Sequence, residues 1–227
     1  MMREEASPLN EIISLTLLSF VTQIRHDAAT TQAQAETVIE LATEHSAPFW
    51  AAAGAILRGW ALTKQGQGEE GIAQMHEGLG VWQGMGAALM RTYWLGLLAD
   101  AYVHTGRSNE GMHLIEEALA DGQTRGERVC AAPLYRLKGE LLQQTAGGRH
   151  QAEAEAEECF LQAIEIAHRQ GARALELRAA TSLARLWQRQ GKPHEADNML
   201  SAIYSWFTEG FETTPLQEAQ ALLNALA

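Results

Sequence analysis

Apolar residues recur at spacings of three and four along almost the whole chain, which is the period of an α-helix with one buried face. No segment shows the sustained alternation that is typical of a β-strand, so the pattern predicts an all-α protein. Short polar breaks separate the periodic stretches. The eleven helices are expected at residues 8–26, 31–45, 48–65, 69–85, 88–105, 108–124, 128–145, 151–170, 173–190, 194–208 and 215–226.

The pattern of small and apolar residues also returns about every forty residues. Gly59 is followed by Ala99 after 40 residues, by Gly139 after another 40, and by Ala184 after 45. Four more columns share this period: Leu62, Tyr102, Leu142, Trp187; Gly71, Gly111, Ala156, Ala196; Met75, Ile115, Phe160, Leu200; and Gly78, Ala118, Ala163, Ile203. A near-constant period predicts a solenoid, in which each unit buries its apolar face only against its neighbours.

The breaks between the helices define the repeat units. Gly66, Gly106 and Gly191 each follow a helix and are expected to adopt the left-handed conformation that closes a tight helical hairpin. The five residues 146–150 lengthen one unit and are expected in its inter-helix loop, where a longer connection costs little. We therefore predict one domain, 1–227, folded as a right-handed α-solenoid. Its five units are 8–46, 47–86, 87–126, 127–171 and 172–209, and a final helix at 215–226 caps the last.

Composition narrows the class of function. The chain has 227 residues, of which 46% are hydrophobic and 20% charged, and this composition is that of a soluble globular protein. Its net charge of −11 opposes phosphate backbones, so no direct nucleic-acid partner is expected. The uncharged stretch from Ile12 to Ile24 is too short to span a bilayer, which favours a cytoplasmic protein without a membrane partner. Cys130 and Cys159 lack metal-ligand spacing and are interpreted as small apolar residues.

Several short motifs resemble sites of catalysis or ligand binding and fail on their context. Gly66–Gly71 spells GxGxxG but joins two predicted helices, whereas a dinucleotide site needs a strand before it. Gly191-Lys192 is followed by a proline, which excludes a phosphate loop. The eight histidines include no HExxH pair, and adjacent acidic pairs such as Glu116-Glu117 point in different directions on a helix. The sequence therefore predicts no catalytic residue, no cofactor and no metal, and the chain is not expected to be an enzyme.

The repeated positions resemble the tetratricopeptide repeat in its longer, roughly forty-residue form. The stretches that carry a more specific resemblance are ILRGWALTKQGQGEEGIAQ, YRLKGELL, RQGARALELRAATSLARLWQRQGK and IYSWFTEGFETTPLQEAQALLNAL. They are similar to the C-terminal repeat region of large bacterial signalling proteins, in which a nucleotidyl cyclase-like or DNA-binding regulatory domain precedes a predicted signal-transduction ATPase of the AAA or STAND type. The resemblance begins near Gln34 and is fainter before it. No Walker motif or cyclase domain accompanies the repeats, so the chain is expected to be a fragment or a repeat-only protein.

The resemblance implies that the first helix of each hairpin lines a concave groove. The residues projected onto that groove, and expected to bind a partner, are Trp60, Lys64, Tyr93, Asp100, His104, Arg136, Glu140, Arg178, Arg185, Gln188 and Arg189. The groove is expected to change from an apolar, mixed end to a basic end. Two alternatives stay open. Trp60 fits the core as well as the groove, and the arginines fit ion pairs with Glu140 or Glu176 as well as a partner.

The expected function is a non-catalytic regulatory module. It would bind a peptide, a sister ATPase or cyclase-like domain, or a small effector along the groove, within a bacterial signal-transduction protein. The alternative is an assembly element that forms a homodimer through the ends or the convex face of the solenoid, because uncapped solenoid ends expose apolar surface.

Overall fold

The computed structural model describes residues 7–87, 90–146 and 150–226, and within them every regular element is an α-helix. The bounds are α1 Pro8–Ile24, α2 Ala28–Glu44, α3 Pro48–Lys64, α4 Gly68–Gly84, α5 Arg91–Thr105, α6 Ser108–Arg125, α7 Ala131–Ala146, α8 His150–Arg169, α9 Arg173–Arg189, α10 Pro193–Tyr204 and α11 Thr214–Leu226. The predicted all-α class and the eleven helices of these ranges are confirmed, with ends shifted by up to four residues.

The chain divides into two compact units, Met1–Thr105 and Gly106–Ala227. Unit 1 contains α1–α5 and unit 2 contains α6–α11. The boundary falls in the turn between α5 and α6, inside the predicted third repeat. The arrangement of all five repeats as a single domain therefore stays a prediction.

Left-handed residues close the turns between helices at a regular interval. Gly66, Gly106 and Gly191 have φ of +88°, +73° and +74°, as expected for glycines that end a helix. The same conformation occurs at Gly86, Gly126 and Gly171, and at the non-glycine residues His26, Ser46 and Met90. From residue 26 to residue 126 the left-handed positions include one at every twentieth residue. Each predicted forty-residue repeat therefore consists of two nearly equal helix-plus-turn halves.

In unit 1 small residues of the repeated columns lie at a close crossing of α3 and α4. A Cβ atom added to Gly59 would lie 2.6 Å from the carbonyl oxygen of Gly71 and 2.6 Å from Cγ of Met75. A Cβ on Gly78 would lie 2.8 Å from Cγ1 of Ile56. The backbones of α3 and α4 approach so closely at these positions that only glycine fits without displacement.

The first hairpin, α1–α2, keeps the same register with hydroxyl residues instead of glycines. Ser19 and Thr31 occupy the positions of Gly59 and Gly71 and are both fully buried. Their hydroxyl groups donate to carbonyl oxygens of their own helices, Ser19 to Leu15 at 2.8 Å and Thr31 to Asp27 at 2.7 Å. Burial of these polar groups is tolerated because each is hydrogen-bonded. The repeat thus extends to α1, where the sequence pattern is faint.

Unit 2 is built on the same principle. A Cβ on Gly139 of α7 would lie 2.6 Å from the ring of Phe160 in α8. The predicted insertion falls between α7 and α8, and its residues 147–149 lie outside the described residues. Leu216, Ala219 and Leu222 of α11 pack on the buried side chains of α9 and α10, so α11 covers the last hairpin as predicted.

Candidate interaction site

One register position of the repeats contains four of the eleven predicted groove residues. Steps of 40, 40, 40 and 45 along the chain select Phe20, Trp60, Asp100, Glu140 and Arg185. We call these the inner positions. The first three belong to unit 1 and the last two to unit 2. Because the sequence repeats, consecutive inner positions lie on consecutive first helices and are able to interact within their unit.

In unit 1 two inner positions, Trp60 and Asp100, form a buried polar cluster with Lys64. The indole Nε1 of Trp60 donates to Oδ2 of Asp100 at 2.9 Å, and the ammonium of Lys64 lies 2.7 Å from the same oxygen. Trp60 is 0% exposed and Asp100 is 7% exposed. Trp60 is therefore a core residue with no surface for a partner to contact, which decides the alternative that the sequence left open. Its role is to fix the Asp100 carboxylate beside Lys64.

His104 lies on the same helix as Asp100, one turn later, and its side chain is exposed. Desolvation by the surrounding protein lowers its pKa below the ordinary value of 6.5, and the nearby positive charge of Lys64 lowers it further. The Asp100 carboxylate opposes this shift. The imidazole therefore favours the neutral form.

Residues of α1 and of the turn that follows it complete this part of unit 1, and they are not among the predicted groove residues. The ring of His26 packs edge-on against Trp60 with centroids 5.6 Å apart. The hydroxyl of Tyr93, a predicted groove residue, donates to Oε1 of Gln23 at 2.6 Å, and Phe20 packs edge-on against the Tyr93 ring. The forty-residue register could have identified Phe20 as part of this surface, because Phe20 lies one step before Trp60.

In unit 2, two predicted residues form an ion pair within α7. A guanidinium nitrogen of Arg136 lies 2.5 Å from Oε1 of Glu140, one helical turn later. The same carboxylate oxygen accepts a hydrogen bond from the hydroxyl of Ser182 in α9 at 2.8 Å. Arg136 is 7% exposed, so this pair ties α7 to α9 inside the unit. The alternative that an arginine pairs with Glu140 is thus realised at Arg136.

The arginines of α9 are placed differently. Arg185 pairs with Glu218 of the capping helix α11 at 2.9 Å, and the two side chains are 43% and 50% exposed. Arg189 is exposed and donates to the side-chain amide oxygen of Gln143. Arg178 and Gln188 are partly buried on the same helix. Glu176, the other expected acceptor, pairs with Arg173 at 2.7 Å and lies 3.0 Å from His168.

Other reactive groups lie in unfavourable surroundings for chemistry. Burial, and to a lesser extent the charge of Glu127, raises the pKa of the Cys130 thiol to about 11, and burial also raises the pKa of Cys159. Both thiols are therefore protonated at neutral pH.

Gly68 begins α4, so the GxGxxG motif joins two helices as expected. Within the described ranges, no three His, Cys, Asp or Glu side chains cluster as metal ligands. None of the helices in those ranges is long and apolar enough to cross a membrane.

Comparisons with known proteins agree with this architecture. No family model matches the chain. An uncharacterized protein of Rhizobium meliloti (strain 1021) is 28% identical over 147 residues, which are 65% of this chain and 14% of that protein. The chain therefore corresponds to a small part of that relative's length.

Two solved structures resemble the chain in fold. A kinesin light chain of Podosopora anserina with nearly identical TPR-like repeats is 18% identical, with a TM-score of 0.55 over 88% of this chain and 95% of that chain. The apo form of RapI is 12% identical, with a TM-score of 0.58 over 96% of this chain and 58% of that chain. At these identities the likeness establishes fold alone. The chain has the all-helical, tetratricopeptide-like repeat fold.

Proposed function

We propose that this chain is a non-catalytic interaction module that binds an acidic segment of a protein or peptide partner at the α9 face of unit 2. The face consists of Arg178, Arg185, Gln188 and Arg189. It is favoured because it gathers three guanidinium groups within a chain whose net charge is −11. A planar guanidinium holds a carboxylate through two parallel hydrogen bonds, which makes arginine suited to such recognition.

The pair between Arg185 and Glu218 carries this proposal. Both side chains are about half exposed, at 43% and 50%. An ion pair at such a surface contributes only about 0–1 kcal/mol, since water solvates both charges well. A carboxylate of a partner therefore replaces Glu218 at little cost. Arg189 donates to the side-chain amide oxygen of Gln143, which is neutral. A carboxylate of a partner is able to replace this acceptor as readily.

The polar cluster of unit 1 has a different role in this proposal. Asp100 is buried and holds Trp60 and Lys64 together, so removal of its carboxylate would leave the buried indole N–H without this acceptor. We assign Trp60 and Asp100 to the packing of unit 1 and Arg136 to the packing of unit 2. Lys64, Tyr93 and His104 are proposed to contribute at the surface of unit 1, and Glu140 and the arginines of α9 at the surface of unit 2.

The proposed setting is a cytoplasmic bacterial signalling protein with a sister ATPase or cyclase-like domain. The resemblance of the repeats to that region, and the small share of the Rhizobium relative that they span, support a module within a larger assembly. A sister domain and a small acidic effector would both present carboxylates to the same arginines. A non-catalytic role is supported by the raised thiol pKa values and by the repeat-scaffold fold of the structural neighbours.

Selection from a random peptide library displayed on phage tests this function. We expect peptides selected on the immobilised chain to be enriched in Asp and Glu, and their binding to decline as salt is added. Selection in parallel on the double variant Arg185→Glu, Arg189→Glu should lose that enrichment. Peptides without acidic enrichment, or the same peptides from both selections, would contradict the proposal.

Self-association through the apolar surface of α1 is the alternative function. Leu17, Leu18, Val21 and Ile24 are each 50–56% exposed there, which is an observation in its favour. A concentration series in light scattering tests it directly, because a dimer would dissociate on dilution. The repeat register favours a different occupant for this surface.

A further inference from the structure

The surface of α1 is more apolar than an exposed helix face of a soluble protein usually is. Leu17, Leu18, Val21 and Ile24 are 56%, 51%, 52% and 50% exposed. Their positions follow i, i+1, i+4 and i+7, so they lie along one side of the helix. A contiguous apolar surface of this kind marks a site of interaction more often than chance exposure. We call these four residues the α1 face.

The repeat register shows what covers the corresponding face of the other first helices. Forty residues after Leu17 and Val21 come Leu57 and Ala61 of α3, and both are 0% exposed. They lie on the side of α3 that packs on α2. There a Cβ on Gly54 would lie 2.9 Å from Cγ1 of Ile39, and the guanidinium of Arg58 pairs with Glu36 at 2.9 Å.

Every later member of the two columns is buried as well. The members of the Leu17 column are Leu57, Leu97, Leu137 and Ser182, which are 0%, 7%, 3% and 6% exposed. The members of the Val21 column are Ala61, Ala101, Leu141 and Leu186, which are at most 1% exposed. In α1 alone, among the described helices of these columns, the same positions are half exposed.

The other terminal helix, α11, has a polar outer surface instead of an apolar one. Residues of α11 that face away from its packed side are mostly polar and exposed, namely Gln217, Glu218, Gln220 and Asn224. A terminal repeat that is meant to face water carries such a polar outer surface. The α1 face lacks one. It even replaces the charged residues of α3 with apolar ones, since Leu18 corresponds to Arg58 and Ile24 to Lys64.

We propose that the α1 face is the seat of one more helix from outside the described residues, the second helix of a further hairpin, packed as α2 packs on α3. The occupant would be an amphipathic helix with a stripe of small and apolar residues, like Ala35, Val38 and Ile39 of α2. Because Arg58, which pairs with Glu36 of α2, corresponds to the apolar Leu18 in α1, the occupant needs no charged partner there. This inference rests on the repeat fold and is independent of the arginine face.

A tandem duplication tests whether the α1 face binds a helix in the way that α3 binds α2. A second copy of residues 7–46 placed directly before residue 7 keeps the forty-residue period and sets the copied α2 against the original α1 face. Leu17→Glu is then introduced either in the original α1, now internal, or in the copied α1, now terminal. The two chains have the same composition, so the terminal substitution is the matched control for the internal one.

We expect the internal Leu17→Glu to lower the melting temperature of the duplicated chain by about 5 °C or more, because it buries a charge, and the terminal one to change it little. In the chain of 227 residues, the exposed Leu17→Glu should leave the circular dichroism spectrum unchanged. Equal effects of the internal and terminal substitutions would overturn the proposal. It would also be overturned by a dimer of the 227-residue chain in sedimentation that Leu17→Glu dissociates, since the occupant would then be a second copy.

Discussion

The indole nitrogen of Trp60 donates a hydrogen bond to the carboxylate of Asp100, which lies one forty-residue step along the chain, at 2.9 Å. The same carboxylate holds the ammonium of Lys64 at 2.7 Å. Two equivalent positions of successive repeats thus recognise each other directly. The interaction aligns α3 with α5 and makes the polar cluster part of the structure of unit 1.

Asp100→Ala should therefore destabilise the protein strongly. The substitution leaves the buried indole N–H and the mostly buried ammonium without this acceptor, at a cost of about 2–4 kcal/mol. Trp60→Phe removes the donor and retains most of the ring, and it should cost about 1 kcal/mol beyond any loss of packing. Urea unfolding monitored by circular dichroism measures both. Glu77→Ala, at an exposed position of α4, is the control, and an equal loss there and at Asp100 would contradict this assignment.

Glycines of α3 and α4 should respond to alanine in opposite directions. Gly59→Ala forces a Cβ to within 2.6 Å of a backbone oxygen and should cost about 1–3 kcal/mol through overpacking. Gly80→Ala, inside α4 where an added Cβ meets nothing within 4 Å, should instead stabilise by up to about 1 kcal/mol. Thermal unfolding of the two variants compares them directly. Loss of stability in both would show that the crossing is not the reason for glycine at position 59.

Ser46 offers a position where glycine should stabilise. It ends α2 with φ of +52°, at a place where later turns carry glycine. Because a side chain is strained in this conformation, Ser46→Gly should raise stability by about 0.5–1 kcal/mol. Ser205 ends α10 with φ of −63°, so Ser205→Gly should not stabilise. A gain at both positions in thermal unfolding would rule out relief of backbone strain.

The lowered pKa of His104 gives unit 1 a dependence on pH with a definite sign. Well above pH 6.5 the imidazole is neutral in the folded and unfolded states, and it contributes no slope. As the pH falls below 6.5, the unfolded chain takes up this proton first, so stability declines toward the lower pKa of the folded state. His104→Gln should flatten that part of the profile of urea midpoint against pH. An unchanged slope would show that His104 titrates alike in both states.

The sequence predicts the fold well because its signals are local. Glycine at positions 59 and 71 encodes a helix crossing, and Gly66, Gly106 and Gly191 encode turns, each through the absence of a side chain. Contacts of the first hairpin are harder to predict, because Ser19 and Thr31 fill the crossing with hydroxyl groups. The hydrogen bonds that make this possible run to backbone carbonyls, which no residue pattern reveals.

The partners of the predicted site residues depend on distances that periodicity does not contain. Trp60 lies on the predicted face, yet His26 of the preceding hairpin packs against it and it is fully buried. Glu218 comes from a helix outside the forty-residue register, so the register does not identify it as the acceptor of Arg185. Side-chain direction follows from the helix period, whereas exposure follows from which neighbouring side chains are long enough to cover it.

Charge reversal at one arginine tests the central claim, that the α9 face binds an acidic partner. Arg185 and Arg169 each lie beside a glutamate, Glu218 at 2.9 Å and Glu165 at 3.8 Å, so reversal creates a similar local repulsion at both sites. The measurement is the dissociation constant of a fluorescent acidic peptide from the phage selection, determined by anisotropy for both variants. The account predicts that Arg185→Glu weakens binding about tenfold or more, equivalent to at least about 1.4 kcal/mol, and that Arg169→Glu has less than a threefold effect. Equal weakening by the two reversals, or none by Arg185→Glu, would contradict it.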